Sequence, residues 1–82
     1  MAKAFHLTIA RVGENLFDGE ATSVTLPGEG GVFEVLAGHE PLVSPLRPGE
    51  ARVVTASGER YHFELATGGI AEISADEATV LL

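Results

Sequence analysis

Few side chains in this sequence could form a hydrolytic site. The candidates are the serines, histidines and aspartates: Ser23, Ser44, Ser57, Ser74, His6, His39, His62, Asp18 and Asp76. A serine nucleophile on a strand-to-helix turn lies in a Gly-x-Ser-x-Gly motif, and none of these serines does. A small hydrolase would need a cleft that holds His39 beside a serine or a carboxylate. Because no spacing in the chain indicates such a cleft, we expect no catalytic residue.

The histidines also lack the spacing of a metal site. The chain has no cysteine, and no two histidines follow a His-x-His or His-x3-His pattern. His6 and His62 occupy outward positions of alternating segments, so we expect both to be solvated surface residues. Asp76 and Glu77 are expected to form a solvated turn rather than a cation site. The sequence therefore predicts neither a metal nor a cofactor.

A glycine-rich segment superficially resembles a phosphate-binding loop. It consists of Gly28, Glu29, Gly30 and Gly31. A phosphate-binding loop continues with Lys and Ser or Thr and opens a helix, whereas this segment lacks the lysine and precedes a strand-like run. We therefore expect no nucleotide binding here.

Composition excludes further classes of ligand. The 82 residues form one domain, and 12 acidic side chains against 5 basic ones give a formal net charge of -7. Nucleic acids and anionic lipids both require Lys and Arg, so neither is an expected direct ligand. No segment approaches the ~20 apolar residues of a membrane span, and residues 1–6 contain no apolar export signal. These features indicate a cytoplasmic domain without direct insertion into lipid.

The elements that position these residues are strands. Apolar and polar residues alternate with a period of two, and turn residues recur every eight to twelve positions. The predicted strands cover residues 5–10, 24–26, 32–36, 42–46, 51–55, 61–65, 70–74 and 78–82, with a turn at Gly19 separating a short segment at 16–17. This pattern predicts an all-β sandwich or barrel.

The segment 26–49 has the strongest conformational restraints in the chain. It contains all four prolines and five of the ten glycines. Proline fixes φ and glycine permits tight turns, so we expect a rigid, bent surface that is either a site or a docking face. The strands at 32–36 and 78–82 are apolar on both faces. Either neighbouring loops cover their second faces, or an apolar patch outside meets a protein partner.

Several segments together carry a family resemblance. They are Phe5-His6-Leu7, Leu16-Phe17-Asp18-Gly19, Val24-Thr25-Leu26-Pro27-Gly28, Gly38-His39-Glu40-Pro41-Leu42, Leu46-Arg47-Pro48-Gly49, Gly68-Gly69 with the following hydrophobic-Glu strand, and Thr79-Val80-Leu81. In this order and spacing, the chain resembles the N-terminal β-sandwich of the epsilon subunit of bacterial F-type ATP synthases, called delta in mitochondria.

The resemblance implies a fold, a function and a location. The fold is a small antiparallel β-sandwich of about ten short strands. The function is that of a non-catalytic central-stalk subunit, which links the gamma subunit to the membrane c-ring and couples proton flow to ATP synthesis. The location is the cytoplasmic face of the cell membrane, where the subunit is peripheral within the ATP synthase.

The resemblance also implies two contact surfaces. The gamma-subunit interface comprises the corner residues and a nearby threonine: His39, Glu40, Pro41, Leu42, Ser44 and Thr67. The c-ring-facing loop comprises Gly28, Glu29, Gly30, Gly31 and Val32. The family's ring-facing loop usually has Glu followed by a small or apolar residue and Gly, and Pro often precedes Gly-His. This sequence has Val32, Glu34 and Ala37 instead.

The family's chain usually continues into a two-helix C-terminal domain. The sequence ends at Leu82, so we expect neither ATP binding nor an inhibitory helical arm. An alternative function is that of a stand-alone acidic β-sandwich that binds another protein. Failure to bind gamma would favour that alternative.

Overall fold

The chain folds into strands joined by tight turns. The structure, a computed structural model, describes residues 3–82; Met1 and Ala2, part of the segment judged for an export signal, lie outside the described residues. The strands are β1 (Phe5–Arg11), β2 (Glu14–Gly28), β3 (Gly31–Val35), β4 (Leu42–Leu46), β5 (Gly49–Thr55), β6 (Arg60–Leu65), β7 (Gly69–Ile73) and β8 (Glu77–Leu81). The all-β prediction is confirmed.

The long strand β2 connects two layers of sheet. Its first half pairs with β1, and its second half pairs with β3 and β5. Ala21 lies opposite Thr55 and Ser23 lies opposite Val54, so Thr22 is an extra residue in β2. Such a bulge bends a strand and shifts its alternation by one residue. One layer therefore contains the first half of β2 with β1, β8, β7 and β4, and the other contains β3, the second half of β2, β5 and β6.

Two details of the expected fold are corrected. The segments at 16–17 and 24–26 belong to one continuous strand, because the chain passes Gly19 and the bulge at Thr22 without losing its pairing to β1 or β5. This leaves eight strands within residues 3–82 rather than about ten. The sheet is also not wholly antiparallel, because β1 and β8 run parallel. Parallel strands need a long connection, and the whole chain between β1 and β8 supplies it.

The core lies between the layers and follows from the alternation. Its buried side chains are Phe5, Leu7, Ile9, Ala21, Val24, Leu26, Val35, Leu46, Ala51, Val53, Leu65, Ala71, Ile73, Ala78 and Val80. Three aromatic rings pack where β2 of one layer approaches β6 of the other. The ring centroid of Phe17 lies 6.0 Å from that of Tyr61 and 6.2 Å from that of Phe63. Burial and ring packing of this kind stabilise the domain.

The two layers have two distinguishable ends. We call one the hairpin end; it contains the turns 12–13, 29–30, 47–48 and 66–68. Here the amide of Glu29 donates to the carbonyl of Pro45 over 3.1 Å, and the amide of Arg47 donates to the carbonyl of Pro27 over 2.9 Å. We call the other the corner end; it contains the loop 36–41 and the turns 56–59 and 74–76. Here the amide of Gly38 donates to the carbonyl of Ala75 over 2.6 Å.

Candidate functional site

The segment 28–32 forms a tight β-hairpin at the hairpin end. Gly28 pairs with Gly31, which leaves Glu29 and Gly30 as a two-residue turn. Gly31 has a φ of 135°, a conformation that favours glycine. Val32 follows with 74% of its surface exposed. The hairpin therefore brings all five loop residues together and presents a carboxylate beside an apolar side chain.

Close packing fixes this hairpin. A Cβ atom on Gly28 would lie 2.8 Å from both the ring of Phe33 and the carbonyl oxygen of Gly31. No side chain fits there without displacing its neighbours. The hairpin is thus held by packing as well as by its bond to Pro45 of β4.

The loop 36–41 forms the corner that contains His39. The amide of His39 donates to the carbonyl of Leu36 over 3.2 Å, and Gly38 has a φ of 86°. The Nδ1 atom of His39 lies 2.7 Å from the carbonyl oxygen of Glu40. Because a carbonyl oxygen only accepts, Nδ1 donates to it. This bond leaves His39 as a corner residue that satisfies a backbone carbonyl of its own loop.

One residue assigned to the gamma interface, Thr67, does not lie with this corner. Thr67 lies in the turn between β6 and β7, next to Gly68, which packs against the backbone of Leu46 and Arg47 at the hairpin end. The expectation that Thr67 is near the His39 corner is therefore wrong, because the length of β4 separates them. Ser44 is half-buried, and its hydroxyl donates to the carbonyl of Pro45 over 3.1 Å.

The outer face of the β1-β8-β7-β4 layer carries an apolar row that sequence reasoning missed. Pro45 of β4 lies opposite Ile70 of β7, Ile70 lies opposite Leu81 of β8, and Leu81 lies opposite Ala10 of β1. Adjacent strands are about 4.8 Å apart, so the row crosses the face over about 14 Å. Val43, with 61% of its surface exposed, precedes Pro45 by two residues in β4 and therefore points to the same side. We call these five residues the apolar row.

The exposure of these residues decides between two predictions about the two-sided strands. Leu81 of the segment 78–82 is 46% exposed, and Val32 and Leu36 of the segment 32–36 are 74% and 52% exposed. Ile70 of β7, which lies beside Leu81, is 40% exposed. Neighbouring loops therefore do not cover these apolar side chains. Their alternation was readable in the sequence, but their alignment into a row depends on the register of four strands. Contiguous exposed apolar surface of this kind is typical of protein interaction sites.

His6 lies at the corner end of the same outer face and is more than a solvated surface residue. Its Nδ1 atom is 3.1 Å from Oε2 of Glu20, and its Nε2 atom is 2.6 Å from Oδ1 of Asp18. Hydrogen bonding of the ring to the carboxylates of Glu20 and Asp18 raises the pKa of His6 above its ordinary value of 6.5. His6 thus has the outward, partly exposed position expected of it, and its two carboxylate contacts are what the sequence did not predict.

The outer face of the other layer carries a smaller charged group. Oε1 of Glu50 accepts from Nε of Arg52 over 2.8 Å, and its Oε2 lies 2.8 Å from Nδ1 of His62. The bonds from Arg52 and His62 lower the pKa of Glu50 below its ordinary value of 4.5. His62 itself remains largely exposed, as expected. The outer face of this layer thus carries a group of paired charges.

Among residues 3–82, no serine hydroxyl bonds to a histidine, and no metal cluster is found. The hydroxyls of Ser44 and Ser74 donate to backbone carbonyls, and that of Ser57 bonds to Thr55 and Glu59. Within the same residues, no group of three or more His, Asp or Glu side chains could hold a metal ion. In the described range, no helix is long and apolar enough to cross a membrane.

Comparison with known sequences gives a consistent result. A profile of the family described as "ATP synthase, Delta/Epsilon chain, beta-sandwich domain" matches residues 4–82. The ATP synthase epsilon chain of Herminiimonas arsenicoxydans is 38% identical over 81 residues, which cover 99% of this chain and 58% of that protein. The ATP synthase epsilon chain of Bordetella avium is 43% identical over 77 residues, covering 93% of this chain and 53% of that protein. The chain thus spans little more than half the length of these curated relatives.

Comparison with solved structures agrees. A chain in the cryo-EM structure of the Euglena gracilis mitochondrial ATP synthase, comprising OSCP, F1 and c-ring, superposes with a TM-score of 0.87 at 26% identity; the match covers 95% of this chain and 49% of that one. A chain in the central stalk and c-ring structure of the Tetrahymena thermophila mitochondrial ATP synthase gives a TM-score of 0.76 at 15% identity, which supports the fold alone; the match covers 98% of this chain and 63% of that one.

The profile match, the sequence relatives and the two-layered strand fold all lead to one assignment. The chain belongs to the family of ATP synthase delta/epsilon chain β-sandwich domains.

Proposed function

We propose that this chain is a non-catalytic docking domain in the central stalk of a proton-translocating F-type ATP synthase. In this role it links the gamma subunit to the c-ring and helps couple proton flow to ATP synthesis. The observation that carries the proposal is the apolar row, which crosses four paired strands on one outer face. An ATP synthase subunit has large protein partners, and such a face is suited to one of them.

Two separate surfaces fit two partners. The apolar row lies on the face of one layer, whereas the hairpin 28–32 projects from its end. We assign the row, together with the corner residues His39, Glu40, Pro41 and Leu42, to the gamma subunit. We assign the hairpin, with Glu29 and the exposed Val32, to the polar loops of the c-ring. A domain that contacts both partners at once can transmit rotation between them.

Rigidity supports the same role. The turns between strands are fixed by glycines at positive φ and by backbone hydrogen bonds such as that from Gly38 to Ala75. A rotating stalk transmits torque only through parts that keep their shape under load. The chain's own side chains perform no bond chemistry in this proposal; their contribution is shape and surface.

Charge substitution in the apolar row tests the gamma assignment. We expect Ile70→Glu combined with Leu81→Glu to reduce affinity for the isolated gamma subunit, because two carboxylates would be desolvated in the interface. Loss of central apolar contacts typically weakens an interface by about 2 kcal/mol or more, which is roughly a 30-fold rise in Kd. Co-purification with tagged gamma and isothermal titration calorimetry measure the effect.

The matched control is Val12→Glu. Val12 is 99% exposed in the turn 12–13 and lies off the row, so the same type of change should leave gamma binding intact. Circular dichroism verifies that each variant remains folded. If folded Ile70→Glu/Leu81→Glu protein binds gamma as tightly as the Val12→Glu control, the gamma assignment of this face is wrong. If no protein, including the wild type, binds gamma, the alternative of a stand-alone acidic protein-binding sandwich is favoured.

A further inference from the structure

His6 is the central residue of an unusual hydrogen-bonded group that joins two strands. It lies on β1, and both of its ring nitrogens contact carboxylates of β2: Nδ1 contacts Glu20 over 3.1 Å, and Nε2 contacts Asp18 over 2.6 Å. A neutral imidazole has one N–H donor and one nitrogen lone pair, and an ionised carboxylate only accepts. The neutral ring can therefore satisfy only one of these two contacts, and the lone pair on its other nitrogen faces a negative oxygen.

The imidazolium form removes this conflict. It donates from both nitrogens, so both carboxylates receive a charge-assisted hydrogen bond. The geometry of the two contacts is thus complete only when the ring carries a proton. His39 and His62 differ in this respect. His39 bonds one backbone carbonyl, and His62 bonds one carboxylate.

The remaining neighbours of His6 are also acidic. On the opposite side, β8 places Glu77 in register with His6, and the backbone amide of His6 donates to the carbonyl of Asp76 over 3.0 Å. The ionisable groups that face His6 from β2 and β8 are therefore all carboxylates. Without a proton on the ring, carboxylates of β2 and β8 lie on both sides of β1 at this level.

We propose that His6 is a proton-controlled clasp that ties β1 to the first half of β2 at the corner end of the sandwich. When the ring is protonated, it bridges the two strands, and its positive charge offsets the negative charge of the surrounding carboxylates. When the ring loses its proton, one bridge is lost and the carboxylates repel one another. The corner end of this layer then opens more often, while the core and the hairpin end remain unchanged.

The direction of the pH dependence follows from the geometry and agrees with the raised pKa of His6. A histidine that is more easily protonated in the folded state contributes stability that is fully present below its unfolded value of 6.5. That contribution is lost as the pH rises through the higher folded value. The clasp is therefore closed below pH 6.5 and loosens as the pH rises above that value. Since the clasp is a property of the chain alone, it does not depend on the proposed function.

Two measurements on the isolated chain test the clasp. The first is an NMR titration of the His6 ring proton in the wild type and in the Asp18→Asn/Glu20→Gln variant. We expect the wild-type midpoint above 6.5 and a fall toward 6.5 in the variant, because amides cannot stabilise the imidazolium as carboxylates do. The control is Glu72→Gln, a carboxylate on the same outer face that does not bond to His6. It should change the midpoint much less.

The second measurement is amide hydrogen exchange of β1 and the first half of β2 at pH 6 and pH 8, with the intrinsic rate at each pH divided out. We expect protection factors in the wild type to fall at pH 8, by up to about tenfold for each pH unit by which the His6 midpoint exceeds its ordinary value. In His6→Gln, which cannot titrate, protection should be the same at both pH values. An unchanged His6 midpoint in the double variant, or wild-type protection that is equal at both pH values, would overturn the proposal.

Discussion

Gly68→Ala is expected to destabilise the domain more than any other single glycine-to-alanine change in a turn. Gly68 has a φ of 77°, and a Cβ atom there would collide with the backbone carbonyl oxygen of Leu46. The left-handed conformation costs an alanine about 1–2 kcal/mol, and forcing extra atoms into a packed region costs about 1–3 kcal/mol. We therefore expect a total loss of about 2–5 kcal/mol in the free energy of unfolding, measured by urea denaturation.

Two other glycines separate the causes of this loss. Gly58 has a φ of 89° but open space around it, so Gly58→Ala should lose only the conformational part. Gly30 has open space and no positive φ, so Gly30→Ala should be nearly neutral. The loss in the free energy of unfolding should therefore be largest for Gly68→Ala, smaller for Gly58→Ala and smallest for Gly30→Ala. Equal losses for Gly68→Ala and Gly58→Ala would mean that the contact with Leu46 relaxes without strain.

The Gly68 position matters because it connects the core to the proposed docking surface. Gly69, the next residue, pairs with Leu46 and starts β7, the strand that carries Ile70. A shift of this turn would move β7 relative to β4 and so break the alignment of Ile70 with Pro45. Gly68→Ala protein that remains folded is therefore also expected to bind gamma more weakly, although residue 68 lies outside the apolar row.

Leu26→Ala is the second change with a large expected effect. Leu26 is fully buried in the second half of β2, opposite Phe33 of β3. Replacing a buried leucine by alanine leaves a cavity and typically costs about 2–5 kcal/mol. A domain of this size has a total stability of roughly 4–12 kcal/mol, so the variant loses a large part of it. Each kcal/mol lowers Tm by about 4–8 °C, which thermal denaturation measures directly.

Leu36→Ala is the matched control for Leu26→Ala. Leu36 is 52% exposed just after β3, so removing the same atoms there leaves no cavity in the core. A surface substitution of this type usually changes stability by less than about 0.5 kcal/mol. Similar losses in Leu26→Ala and Leu36→Ala would contradict the assignment of Leu26 to the core between the layers.

Local patterns in the sequence predicted most of the strands. The predicted strand at 42–46 coincides with β4, and those at 32–36 and 70–74 differ from β3 and β7 by one residue at each end. These segments were predictable because alternation and turn residues act over neighbouring positions. The continuity of β2 was not predictable, because the bulge at Thr22 shifts the alternation and so resembles a break between two strands.

Pairing between distant strands explains what the sequence could not predict. The parallel pairing of β1 with β8 joins opposite ends of the chain, and no local pattern encodes it. The same holds for the apolar row, whose members come from four strands and are aligned only by register. His6 was correctly placed on an outward position, but its partners Asp18 and Glu20 follow from the β1–β2 register. Local composition did predict a glycine-rich loop at 28–31 between two strands, and in the structure this loop is a two-residue hairpin turn.

The most direct test of the account is an NMR titration of the methyl groups of the chain with isolated gamma subunit. The central claim is that the chain acts by docking one outer face of its sandwich. We expect a one-to-one complex in which the methyl signals of Val43, Ile70 and Leu81 change, while those of the exposed Val12 do not. A chain that forms no complex with gamma, or one whose changes centre on Val12 and leave the apolar row unaffected, would contradict it.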